Sequence, residues 1–241
     1  MATEKRLNRR ETDEYSASLA VLIDADNAQA KFIEGILAEV ARFGEATVKR
    51  IYGDFTSSQS SSWKKVLQQH AIKPVQQFAY TTGKNATDSA LIIDAMDLLY
   101  TRKFDGFCLV TSDSDFTGLA TRLREEGLKV FGFGEQKTPD AFRNACHKFV
   151  FTEVLWEMAT KTEEPKAAKA STTAKVPAPA VTPATIKKPI PKKFMLHALR
   201  QATDDNGWAH LGNFGSYLTK LKPEFDARIY GYTKLSDLVK D

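Results

Sequence analysis

The stretch Gly106 to Phe116, GFCLVTSDSDF, constrains the fold of this chain more than any other. Its apolar, β-branched run stops abruptly at Ser112, Asp113 and Asp115, which reads as a buried strand ending in an acidic turn. In an open α/β sheet, ligands bind outside the carboxyl ends of the strands, so this turn stands where chemistry takes place. A second run, Leu19 to Asn27, LAVLIDADN, ends in the same way on Asp24, Asp26 and Asn27.

The intervening sequence alternates between strand and helix signals. Phe32, Ile33, Ile36, Leu37 and Val40 recur at helical spacing, with Gly44 as a stop. ATVKRIYGDF reads as a strand, and a helix starts near Ser61 or Ser62. IKPVQQFAY is extended, with Pro74 confining it to an edge position. TDSALIIDAMDLLYTRK is a helix with Thr87 as its N-cap and Asp88 in its first turn. On that helix Asp88 shares a face with Leu91, Ile92 and Ala95, whereas Asp97 falls on the opposite, solvated side. After the organising strand come a helix marked by Leu119 and Leu123 and closed by Gly127, and the strand LKVFGFG. TPDAFRNACHKF reads as a short helix capped by Thr138 with Pro139 at its first position, and VFTEVLWEMA as a closing helix. Five strands alternating with helices imply an α/β fold, a doubly wound and mostly parallel sheet over residues 19–158.

Composition then limits the rest. With 241 residues, 42% hydrophobic and 27% charged, the chain can bury one good core and carry a second small unit. No apolar run reaches the ~20 residues of a membrane span, and residues 1–18 lack the apolar segment of a secretory signal, so a cytoplasmic protein without membrane contact is expected. Those first residues are charged, of mixed sign and without periodicity, and read as a disordered arm. Two cysteines, Cys108 and Cys146, make neither a disulfide framework nor, unaided, a zinc site; Cys108 reads as a small core hydrophobe. The net charge of +4 is concentrated between residues 159 and 192, where seven Lys face two Glu in an Ala/Pro/Lys-rich linker. Residues 193–241 form a second small unit of three short helices, in which Phe194, Leu196 and Leu199 are expected to be buried in the first helix.

Asp24 ends the first strand, Asp113 and Asp115 end the strand from Gly106, and Asp88 opens the helix after IKPVQQFAY. In a parallel sheet these ends lie on one edge, so acids far apart in sequence converge. Carboxylates crowded together take up protons unless a cation stabilises them as anions. An all-oxygen set without His or Cys selects Mg²⁺ or Mn²⁺ over zinc and suits attack of water on a phosphodiester. Asn27 and Lys84 are equally readable as substrate contacts or as an ordinary helix cap and a loop lysine, and His70, His147, His197 and His210 match no catalytic spacing.

The segments LIDADN, GKNATDSALIIDAMDLL, LVTSDSDF and TPDAFRNACHKF, in this order, resemble the NYN domain, the PIN-like nuclease family that includes the LabA-like proteins. The resemblance implies that Asp24, Asp88, Asp113 and Asp115 are metal ligands, that Asn27 and Ser112 support them and that Asp94 is a secondary acid. It also implies metal-dependent cleavage of RNA. His147 departs from the pattern, which has an acid after the cysteine in many relatives. GWAHLGNFGSYLTKLKPEFDARIYGYTKLSDL is similar to the OST-HTH or LOTUS domain, a winged-helix module associated with RNA binding and protein contacts. The chain stops at Asp241, before the strand pair that completes a wing, so binding through a wing is not assumed. Trp208, Phe214, Tyr217 and Tyr230 are available for base stacking or for core packing.

The resulting expectation is a metal-dependent endoribonuclease acting on RNA, with single-stranded DNA as the other substrate and a protein partner as the other role for the C-terminal module. Its rival is a non-catalytic RNA-binding or regulatory adaptor on the same fold, against which the full acidic set argues. A dehydrogenase is disfavoured because no G-x-G-x-x-G follows the first strand.

Overall fold

Six strands, most of them rich in β-branched and aromatic residues, form one parallel sheet in the computed structural model. The structure describes residues 16–56, 61–78, 86–155, 189–204 and 207–241. The strands are β1 (Ser18–Asp24), β2 (Glu45–Gly53), β3 (Lys73–Gln76), β4 (Gly106–Val110), β5 (Lys129–Gly134) and β6 (Lys148–Phe151). Between them lie α1 (Ile33–Val40), α2 (Ser61–His70), α3 (Ala86–Tyr100), α4 (Thr117–Glu125) and α5 (Asp140–Ala145). The sheet order is β3-β2-β1-β4-β5-β6, with every neighbouring pair parallel. The order reverses between β1 and β4, which places the crevice of a doubly wound sheet beside the ends of those two strands.

The alternation of side chains along a strand divides the core into two layers. Ala20 and Leu22 on β1 align with Phe107 and Leu109 on β4, and this face is covered by Leu91, Ala95, Leu98 and Leu99 of α3 and by Leu119 and Leu123 of α4. Val21, Ile23, Cys108 and Val110 face the other way, onto Ile33, Ile36 and Val40 of α1. β4 is buried at all five positions, as its unbroken apolar sequence requires. Pro74 sits on β3 at the sheet edge, where its missing N–H costs no interior ladder bond. Gly44 turns the chain into β2, and a Cβ there would stand 2.2 Å from the carbonyl oxygen of Ala17.

Three sequence expectations are revised. KFVF, read as the end of one helix and the start of another, is a sixth strand: Phe149, Val150 and Phe151 are buried and pair with β5. Such a short apolar run fits a strand or a buried helix equally, and a free sheet edge decided the matter. Thr87 lies inside the first turn of α3 instead of capping it, because the helix starts at Ala86. The cap of α5 is Pro139, while the Thr138 hydroxyl donates to the Glu135 carbonyl at 2.6 Å.

The C-terminal region is helical, with α6 (Lys192–Ala202), α7 (Leu211–Leu221), a 3-10 turn (Ala227–Tyr230) and α8 (Leu235–Lys240). It buries Ala198, Phe214, Leu218, Phe225 and Leu238 around a core of its own. On α6 the inward stripe is Phe194, Ala198 and Ala202, so Leu196 (55% exposed) and Leu199 are turned outward, contrary to expectation. This region is seated on the sheet. Ile229 joins the cluster of Phe142, Phe149 and Phe151, and the Phe149 N–H of edge strand β6 donates to the Pro223 carbonyl at 3.0 Å. Arg228 reaches α1, where its Nη1 and Nη2 donate to the two oxygens of Glu39 at 3.0 and 2.9 Å; it also donates to Asp226. Burial pushes the Asp226 carboxyl up, but the guanidinium beside it outweighs this and holds it below the usual carboxylate range. Residues 1–15 of the expected arm and residues 159–188 of the expected linker lie outside the described residues.

Candidate metal centre

β1 and β4 run side by side with Ile23 opposite Val110, so the next residues on the inner face, Asp24 and Thr111, emerge together at the carboxyl edge. The Thr111 hydroxyl donates to Asp24 Oδ2 at 2.8 Å and accepts from the Asp113 N–H at 3.1 Å. Asp24 is completely buried, and it also accepts from Asn27 Nδ2 at 2.8 Å and from the Asp26 N–H at 3.0 Å. Burial raises the pKa of Asp24, and these hydrogen bonds act against the rise. Asn27 thus braces the Asp24 carboxylate at the edge of the sheet.

The turn after β4 is shaped by its own acids. Asp113 precedes a 3-10 turn over Ser114–Phe116, and its side chain accepts from the Asp115 N–H at 2.9 Å. Asp88 comes from the first turn of α3, the helix that covers the same face of the sheet as Asp24. Asp88, Asp113 and Asp115 each present an oxygen, and these atoms lie within 4.8 Å of one another. Partial burial, with the charges of Asp24, Asp113, Asp115 and Asp26 adding to it, raises the Asp88 pKa to about 6. The arrangement fits a hard divalent cation: crowded oxygens, no softer donor among them, and a carboxyl whose pKa is raised by burial and by its acidic neighbours.

The remaining site candidates fall in different places. Ser112 is buried, and its hydroxyl accepts from the Glu135 N–H at 2.9 Å, bracing the loop after β5. Asp94 is paired with Arg50 and hydrogen-bonded to Tyr52, both on β2. Six residues along α3 from Asp88, at 1.5 Å per residue, it is displaced by roughly 9 Å toward the opposite end of the strands. It is absent from the grouped acids and secures α3 to the sheet. Lys84 lies outside the described residues. His147 stands at the start of β6, where its Nδ1 accepts from the Val130 N–H at 3.1 Å, so its departure from the family pattern does not alter the acidic cluster. Asp97 is exposed and Cys108 fully buried, as read from the sequence. Of the four aromatics considered for stacking, Trp208 is 78% exposed and Phe214 is core.

Sequence reasoning missed Thr111. A hydroxyl directly after the last apolar residue of a strand and just before paired acids was the available signal.

A six-stranded parallel sheet flanked by helices, with acids gathered at its switch point, defines a PIN-like, nuclease-like α/β fold. The chain belongs to the NYN domain family, whose profile matches residues 18–155, and the OST-HTH/LOTUS domain profile matches residues 187–241. A protein of unknown function from Vibrio parahaemolyticus shares the fold at a TM-score of 0.50 and 16% identity, covering 58% of this chain and 96% of its own. An uncharacterized protein from Nitrosomonas europaea, solved by solution NMR, is 55% identical over 30% of this chain and 68% of its own, at a TM-score of 0.23. No curated protein matches the chain. Among the described residues, no helix is long and apolar enough to cross a membrane.

Proposed function

We propose that the protein is a metal-dependent endoribonuclease in which residues 19–158 cut RNA and residues 193–241 help to hold it, joined by the basic linker 159–192. The observation that carries this reading is the meeting of Asp88, Asp113 and Asp115 oxygens within 4.8 Å, beside the buried Asp24. These three would hold a Mg²⁺ or Mn²⁺ ion, with Asp24 orienting the turn through Thr111 and lending negative charge. Such an ion supplies a bound water of lowered pKa and polarises a phosphoryl oxygen. With its pKa raised to about 6, Asp88 would lose a proton to a bound cation below that pH. The OST-HTH match and the surplus of lysines before it favour RNA as the substrate over single-stranded DNA. The buried free thiols of Cys108 and Cys146 suit a reducing compartment, in keeping with a cytoplasmic enzyme.

The test is incubation of the purified chain with labelled structured and unstructured RNAs and single-stranded DNA, with Mn²⁺, with Mg²⁺ and with chelator. Internal cleavage of RNA that needs the metal and disappears in Asp113→Asn is the expected result. Binding of RNA without any cleavage under all metals would replace the enzyme by an adaptor.

A further inference from the structure

At the seam between the sheet and the C-terminal helices lies a groove of about 560 Å³, lined among others by Arg42, Lys148, Thr219, Arg228, Thr233 and Lys234. Arg42 follows α1 and Lys148 opens β6, so the groove faces the N-terminal end of the strands, away from the acidic cluster. Four cations surround it. Asp226 lines the groove with them and Glu39 stands behind Arg228; both carboxylates are held by Arg228, with Arg42 also on Glu39 at 3.0 Å. Lys148 and Lys234 therefore add positive charge that these two acids do not absorb by direct contact.

Lys148 is half-buried, with its ammonium 5.3 Å from the centre of the Phe43 ring. Burial lowers its pKa, against the attraction of Asp226 and Glu39, so an anion entering the groove would recover lost solvation. Thr233 is exposed along the groove, whereas the Thr219 hydroxyl donates to the Gly215 carbonyl at 3.1 Å and leaves only its lone pairs to the groove. Cations contributed by both the sheet domain and the C-terminal helices, with one exposed hydroxyl beside them, recognise a chain of phosphates by charge and hydrogen bonds without reading bases.

We infer that the groove between Lys148 and Lys234 is a second, non-catalytic site that binds the phosphate backbone of single-stranded RNA at a distance from the acidic cluster. The inference rests on RNA being the substrate and adds where the chain grips it. β6 and β4 are two strand spacings apart, and β6 spans four residues. One strand of RNA must cover roughly 10 Å across and roughly 13 Å along the sheet to touch both places. A long RNA therefore gains affinity from the groove and a dinucleotide does not.

The experiment measures binding of labelled unstructured RNA to the full chain in chelator by fluorescence anisotropy over a range of salt. Lys234→Glu, at an exposed position, and Lys148→Gln, which keeps a polar chain of similar length, are compared with the unaltered protein. Each should weaken binding of a long RNA about 10-fold and reduce the salt slope by about 1, while cleavage of a dinucleotide by the metal-loaded protein stays unchanged. Equal affinity and equal slope in all three overturn the groove and leave it to an acidic protein segment. Failure of the unaltered chain to bind RNA would overturn the RNA reading together with the groove.

Discussion

Arg228, near the end of the chain, and Glu39, on the first helix, are joined by a two-pronged ion pair across 189 residues of sequence, both side chains being almost fully buried. Burial opposes the charge on Arg228, but the hydrogen bonds of Asp226 and Glu39 outweigh this and raise its pKa. The C-terminal helices are thereby part of the packing of the sheet domain, and the basic segment before them is not the sole connection.

Removing one partner of a buried pair leaves an uncompensated charge. Arg228→Ala should destabilise the protein by about 3–5 kcal/mol, read as a lowered midpoint in urea, while Arg42→Ala, at an exposed position, should change it little. Deleting residues 159–241 has the same consequence for Glu39 and also uncovers the β6 edge, so the truncated protein should aggregate or melt early. Undiminished stability of the truncated protein would show that the interface is dispensable.

Asp113→Asn and Asp88→Asn should each abolish metal-dependent cleavage while leaving the far-UV circular dichroism unchanged. Each removes a charged donor from the oxygen cluster without altering the core. Added Mn²⁺ should raise the melting temperature of the unaltered protein by mass action, and much less that of Asp113→Asn.

Asp88 gives a pH signature. Its pKa in the folded protein is raised from 3.8 to about 6, so the folded state retains a proton that the unfolded chain has lost. The contribution to stability is full below about pH 4 and is lost as the pH rises through about 6. Metal-free protein should therefore weaken across that window, and Asp88→Asn should flatten the change in a urea titration. Mn²⁺ affinity should rise over the same range, because the metal must displace the proton.

Thr111 ties Asp24 to the Asp113 turn through a single hydroxyl. Thr111→Val should lower cleavage about 10–100-fold, and Thr111→Ser should restore most of it. Equal loss in both variants would mean that shape at this position matters and the hydroxyl does not.

Asp94 serves as the control. Asp94→Asn weakens its pairing with Arg50 and Tyr52, so it should cost about 1–3 kcal/mol of stability while leaving metal-dependent cleavage per folded molecule intact. A loss of cleavage as deep as that of Asp113→Asn would return Asp94 to the metal site.

The local chemistry of the sequence determined much of this protein. Apolar runs stopped by acids at Asp24 and Asp113 announce strands with acidic ends, and Asp88 on the inner face of its helix must turn toward the sheet that the helix covers. With a parallel sheet, those statements are enough to bring the acids to one edge, because side chains alternate along strands and repeat on helices with known periods. What the tertiary structure alone decided depends on neighbours that periodicity does not name. Asp94 and Asp88 share a helix, but Arg50 and Tyr52 on β2 claim the first, since β2 lies beside β1. KFVF became a strand because β5 offered it an open edge. Leu196 and Leu199 face outward because the stripe that meets the C-terminal core is Phe194, Ala198 and Ala202. Glu39, a charge within an otherwise apolar helix face, is buried only because Arg228 arrives from the far end of the chain. Burial of a charge is settled by its partner, and a partner 189 residues away is a property of the fold.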